Sequence, residues 1–378
     1  MEKNPPPRPR RPHLVANLIA IGFALLPGWT LADDWTQFRG GPDQRGQATA
    51  LVGDLEPVWR FEVPDGTEST AAIVGDTVVV AGLAGTIHAL DLASGEERWR
   101  VETEEEIKSS PLVVGDTVYL GDEYGRFHAL DLATGEERFK IELDAAISSS
   151  ATPAGDCLAF GAYDNHIYCV DPKDGTVKWK VETQGYVHGT PAVVDGQVTS
   201  SGCDAFLRLI DAKDGSETAS IELGAYVAAS PAVVDGRVYV GNFDAQVMAI
   251  DVAEKKIAWS YTSDREFPFY SSAAVTDDLV ILGGRDKRVH ALERATGERR
   301  WIWLSRGRID TSPVVSGDRV FIGDKTGAVV ALSLADGSEL WRFDTGDGFT
   351  ASPAIARGTL VIGNEAGAVY AFRAATPQ

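Results

Sequence analysis

Eleven residues, ALDLASGEERW, run from Ala89 to Trp99, and forty residues later ALDLATGEERF runs from Ala129 to Phe139. The same frame returns at Cys169 (CVDPKDGTVKW), Leu209 (LIDAKDGSETA), Ala249 (AIDVAEKKIAW), Ala291 (ALERATGERRW), Ala331 (ALSLADGSELW) and Ala371 (AF). Every step is forty residues except the forty-two from Ala249 to Ala291. A fixed period of this length over eight copies means that one supersecondary unit is used repeatedly, and that each unit covers the apolar face of the next.

Each copy reads as four short strands. The first follows a small-hydroxyl-Pro signal such as SSPLVV from Ser109, the second resembles VYLG, the third RFHALD and the fourth RWRVE. β-branched and aromatic runs are separated by Gly, Asn and Asp at hairpin spacing, and no window has a helical period. Four strands per forty residues describe a propeller blade. The expected fold is therefore all-β: an eight-bladed propeller over 57–378, preceded by a signal peptide at 1–32 and an extension at 33–56. The last copy stops at Gln378 without a fourth strand, whereas PVWRFEV from Pro57 looks like a fourth strand without the other three. The N-terminal strand is expected to complete the eighth blade and close the ring, which removes the open edge that invites aggregation.

The aromatic that ends the frame is Trp59, Trp99, Trp179, Trp259, Trp301 or Trp341, with Phe139 and Ala219 as the exceptions. An outer-strand Trp buries roughly 150–250 Å² against a neighbouring blade, so these residues are read as structural docking groups and Ala219 as the weakest junction.

The first 32 residues carry a basic start, MEKNPPPRPRRPH, an apolar run shorter than a membrane span, and small residues before a cut after Ala32. This reads as bacterial export to the periplasm or beyond. No Cys follows the cut, so no lipid anchor is expected, and no later segment could span a bilayer as a helix. The formal charge is -20, and about -23 once Met1–Ala32, with four cations and one anion, is removed. Such a balance excludes nucleic acid and anionic membrane surfaces as partners and favours a soluble monomer. Of three cysteines, Cys157 and Cys169 flank one hairpin and are candidates for a disulfide, and Cys203 is expected free.

From Pro57 to the C-terminus the frame resembles the tryptophan-docking repeat of pyrroloquinoline quinone (PQQ) propellers. Two branches share it: the PQQ-dependent dehydrogenases, and the outer-membrane assembly factor BamB with its cofactor-free relatives. DWTQFRGGPDQRG from Asp34 resembles the DWPQFRGP segment that often opens exported members of the PQQ-like group, and suggests a plug or latch using Trp35 and Phe38. The dehydrogenase likeness implies PQQ with calcium, but that branch is much longer, holds its calcium on inserted Glu, Asn and Asp residues, and carries adjacent cysteines. Here the cysteines are separated, a forty-residue period leaves no room for the insertions, and no catalytic Asp or metal set can be placed. The BamB likeness implies a non-catalytic scaffold that contacts a cell-envelope protein, although BamB is a lipoprotein and this chain lacks the lipidated Cys.

Chain direction puts the turns between second and third strands on one face, together with the blade-to-blade links. Against a repeated frame, variation marks where function can reside. An aligned hydroxyl recurs at Thr70, Ser110, Ser150, Thr190, Ser230, Ser272, Ser312 and Ser352. Three residues earlier stand mostly apolar side chains, read as core. Two residues earlier stand Glu68, Lys108, Ser148, His188, Ala228, Tyr270, Asp310 and Thr350, a ring expected at the channel mouth. The longer link SYTSDREFPFY brings Tyr261, Phe267, Phe269 and Tyr270, which with Tyr186, Tyr226 and Phe349 could form an exposed aromatic surface for a protein or a glycan. Either a protein partner or a glycan or small-molecule ligand is compatible with this ring. His88, His128 and His290 repeat one strand position on three blades and are too dispersed for a metal.

Overall fold

The computed structural model describes Met1 and residues 34–375. The signal-peptide expectation lies outside the described residues. From Asp34 onward there are strands and turns, with no helix among the described residues. Eight sheets form, each with four antiparallel strands, in simple sequence order in the first seven, for example Ala72–Val74, Thr77–Ala81, Thr86–Asp91 and Glu97–Glu102 in the first blade; Gln47–Ala48 adds a short parallel strand to the inner edge of the seventh. The eight-bladed reading therefore holds.

Closure follows the expected route. Strand β2 (Leu55–Glu62; β1 is Gln47–Ala48) is the outer strand of the eighth blade and pairs with Ala368–Ala374. Trp59 lies opposite Ala371, the same register that sets Trp99 opposite Ala89 and Trp341 opposite Ala331. In each case the small residue of the frame leaves room on the strand for the indole.

The repeated Asp and Gly build the turn before that aromatic. The Asp91 carboxylate accepts the amides of Ala93 and Ser94, both at 2.9 Å, and Asp131 does the same in the next blade. Gly95, Gly135, Gly215, Gly297 and Gly337 follow with φ between 73° and 77°. They also form the floor on which the preceding blade's Trp lies: a Cβ at these positions would stand 2.5–2.8 Å from the indole. The indole N–H of Trp99 then donates to Leu132 O at 2.9 Å, and those of Trp59, Trp179, Trp259 and Trp301 make the homologous bond. The fourth blade has Ala219 instead, and the next turn has Lys255 in place of Gly, at φ 54°. The two departures belong together, because Lys255 covers the vacated place and donates to Thr218 O at 2.8 Å.

The extension at 34–51 is a latch inside the ring. An innermost strand has an unpaired row of amides facing the channel. Trp35 and Ile73 exchange two backbone bonds, and the amides of Val113, Val193, Val233, Val275 and Val315 donate to Thr36, Pro42, Asp43, Arg45 and Gly46. Six blades are thereby satisfied by one segment. The homologous position in the third blade is Pro153, which has no amide to satisfy, and Gln44 reaches that blade through the Thr152 hydroxyl instead. Arg39 is 1% exposed and donates to Pro313 O and Ala273 O at 2.6 and 2.9 Å. Trp35 is buried, as the latch reading expects. Cys157 and Cys169 form a disulfide across the hairpin of the third blade, and Cys203 is free.

Candidate functional site: the channel mouth

The eight aligned hydroxyls close a circle of hydrogen bonds. The Thr70 amide donates to Ser110 Oγ at 3.0 Å, Ser110 to Ser150, Ser150 to Thr190, Thr190 to Ser230, Ser230 to Ser272, Ser272 to Ser312, Ser312 to Ser352, and Ser352 back to Thr70 at 3.1 Å. All eight bonds run in one sense. Sequence periodicity places the hydroxyls in register, and the blade spacing turns that register into a belt. At about 1 kcal/mol net for each such bond, the belt is a material part of what holds the blades in a circle.

This belt lines a pocket of about 100 Å³. Phe38 of the latch also lines it, and so do Glu68, Lys108, Ser148, His188, Ala228, Tyr270, Asp310 and Thr350. The ring expected at the mouth is thus assembled as a unit, within which its members differ in chemistry. Lys108 is held by Glu106 and Glu123, both at 3.3 Å. Asp310 is held by Arg285 at 2.7 Å and Arg308 at 3.3 Å, with Lys325 at 3.8 Å. Glu68 has no hydrogen-bond or ion-pair partner among the described residues, and burial raises its pKa. His188 lies between two phenols, Tyr163 OH at 2.7 Å from Nδ1 and Tyr270 OH at 3.1 Å from Nε2, and burial holds its pKa below the usual imidazole range. Burial pushes the Tyr270 phenol up to about 12, so it stays protonated. Arg285 also stacks over the Tyr270 ring, 4.5 Å from its centroid.

Around one side of the mouth runs an aromatic arc. Tyr163 stacks on Tyr186 at 4.9 Å, and Phe243 meets Tyr270 edge-on at 6.4 Å. Phe243 N–H donates to Tyr226 O at 3.0 Å. Tyr186, Tyr226 and Phe267 are 53%, 62% and 52% exposed, as an aromatic surface requires. Phe269 and Phe349, both expected on the aromatic surface, are instead fully buried; Phe349 lies over Gly323, where a Cβ would come within 2.9 Å of it. It occupies the apolar position three before the aligned hydroxyl, as Phe269 does over Gly241, and is core rather than surface. Phe267, two residues before Phe269, carries the exposure.

Sequence reasoning missed a second ring, the second residue of each turn between second and third strands: Glu123, Tyr163, Phe243, Arg285 and Lys325 among them. These supply the partners of the first ring. The signal was present as the same forty-residue period, shifted fifteen residues beyond Lys108 to reach Glu123. The strand histidines remain apart, His128 on Asp122 and His290 on Asp286, each at 3.0 Å. Among the described residues no group of three or more His, Cys, Asp or Glu is placed to hold a metal ion, and no helix is long and apolar enough to cross a membrane.

A closed eight-bladed ring with docked tryptophans and a variable mouth defines a PQQ-like propeller. The chain belongs to the family described as outer membrane protein assembly factor BamB, which it matches over residues 51–161, 113–303 and 286–377. No curated protein matches it significantly. Among solved structures it is similar to BamB from Moraxella catarrhalis, with 22% identity and a TM-score of 0.74, covering 86% of this chain and 99% of that one. It is similar as well to quinohemoprotein alcohol dehydrogenase from Comamonas testosteroni (13%, TM-score 0.76, 92% and 82%). A computationally designed protein, Ika8, also matches (18%, TM-score 0.75, 86% and 100%).

Proposed function

We propose that this chain is an exported, non-catalytic scaffold that binds a cell-envelope protein through the aromatic side of its mouth. The family description points to outer-membrane assembly, and the apolar start followed by small residues before Asp33 suits export. The observation that carries the reading is the arc Tyr186, Tyr226, Phe243 and Phe267, which leaves aromatic side chains in solvent on one face of a chain whose charge keeps it soluble. Rigid aromatic groups on loops anchored by a rigid ring suit a protein interface.

A quinone does not suit this mouth. PQQ is a planar tricyclic tricarboxylate, whereas the pocket holds about 100 Å³ and its one unpaired charge is the Glu68 carboxylate. The cysteines nearest in sequence are bonded across a hairpin rather than adjacent.

The test is recovery of envelope proteins on the purified mature protein, compared with the Tyr226→Ala/Phe267→Ala variant. Both side chains are exposed, so the variant is expected to melt with the parent and to lose the recovered protein. Equal recovery by parent and variant would remove the arc from the interface.

A further inference from the structure

The mouth pocket has a chemistry that a protein partner resting on the aromatic arc does not use. Each belt hydroxyl accepts an amide from the neighbouring blade, and its own proton has no acceptor among the described residues. The belt side chains are almost wholly buried: Ser110 is 3% exposed and Ser352 5%. Eight hydroxyl protons without acceptors, converging on one axis, call for oxygen acceptors inside the pocket.

The charge of the wall is equally one-sided. Lys108 and Asp310 are each matched by protein groups, so their charges are answered. Glu68 alone is unanswered, although Lys108 and Lys325 lie close enough to act on it. A half-buried carboxylate without a partner favours a cation that reaches it with an N–H donor. Phe38 adds an aromatic wall, which favours an ammonium further. The cavity of about 100 Å³ suits a small guest.

We infer that the mouth pocket is a binding site for a small primary ammonium compound carrying oxygen acceptors, with the ammonium on Glu68 and the oxygens on the hydroxyl belt. A short amino acid and a short amino alcohol share this chemistry. Lone anions lack the group for Glu68, and lone polyols lack the charge. The site stands independently of the protein interface, because its determinants are Glu68 and the belt rather than Tyr226 and Phe267.

Isothermal titration of the purified mature protein with glycine, ethanolamine, acetate and ethylene glycol tests this. Glycine or ethanolamine, or both, should give a saturable heat, and the stronger of the two identifies the acceptor that the belt prefers. Acetate and ethylene glycol should give none. Glu68→Gln, which keeps the shape of the side chain, should weaken the ammonium ligand about tenfold or more, as loss of a charge-assisted bond does. Glu68→Asp should recover part of that loss, which a merely structural role for Glu68 would not produce. The inference is overturned if neither ammonium probe binds the parent, if acetate or ethylene glycol binds as well as they do, or if Glu68→Gln binds unchanged. The Tyr226→Ala/Phe267→Ala variant should bind the ammonium probe like the parent, so this site and the protein interface can fail separately.

Discussion

Ala219 and Lys255 offer a test of how blades dock. At five junctions a Trp lies on a turn Gly, with room that a Cβ would invade at 2.5–2.8 Å. Ala219→Trp alone would place an indole against the Lys255 Cβ and should destabilise by about 2 kcal/mol, as overpacking does. Lys255→Gly alone relieves a left-handed backbone at φ 54°, worth about 1 kcal/mol, and gives up an exposed bond to Thr218. Together the two rebuild the standard junction. The homologous Trp59, Trp179 and Trp301 are only 8–9% exposed. Burying about 150 Å² of indole at about 25 cal/mol per Å² gives an upper bound of about 4 kcal/mol, of which about half survives side-chain ordering. The indole N–H would meet Val252 O, the counterpart of Leu132 O. The double variant should therefore be about 2 kcal/mol more stable than the parent, and the cycle should show about 3 kcal/mol of coupling. Urea unfolding of the four proteins measures it. Additivity within about 0.5 kcal/mol would refute the idea that the Trp and the Gly form one unit.

Three further outcomes are expected. His188 is buried with a lowered pKa, so the unfolded chain binds its proton first as acid is added. The stability it confers is present above the ordinary imidazole pKa and is lost as pH falls from there toward the depressed value. Urea midpoints from pH 7.5 to 5 should fall less in His188→Gln than in the parent, and equal slopes would refute this. Arg39→Ala leaves two buried carbonyls without donors and should cost about 2–4 kcal/mol, with early proteolysis inside 34–51; an unchanged melt would mean the latch is not held there. Cys157→Ser/Cys169→Ser opens a loop with a separation of 12 residues and should lower stability by about 3 kcal/mol in oxidising buffer, with no effect under reductant.

The blades were legible because each must satisfy the same neighbours, so the chain repeats itself wherever geometry repeats. The closing strand was legible for the same reason: Trp59 keeps the frame although its partner Ala371 is 312 residues away. The pocket ring was legible from its offset to the hydroxyls. The course of the latch was not, because Asp34–Leu51 crosses the inner strands at uneven intervals in its sequence and so has no period of its own. Phe349 was misplaced among the exposed aromatics because its residue type matched theirs. Its alignment with Phe269, over a Gly that only a buried neighbour needs, is what settles it. Of the two partners of Lys108, Glu106 stands beside it in sequence, whereas Glu123 comes from the neighbouring turn and is seen only when the second ring is aligned with the first.

The hydroxyl belt has a direction, and damage to it should be displaced accordingly. If Ser272 loses its oxygen, the stranded group is not in its own blade but the amide of Ser230, one blade earlier in the chain. Amide exchange should therefore quicken one blade back around the ring from each belt substitution and not one blade on, and replacing Thr70 should be felt at Ser352, at the far end of the chain, where the circle meets its own beginning.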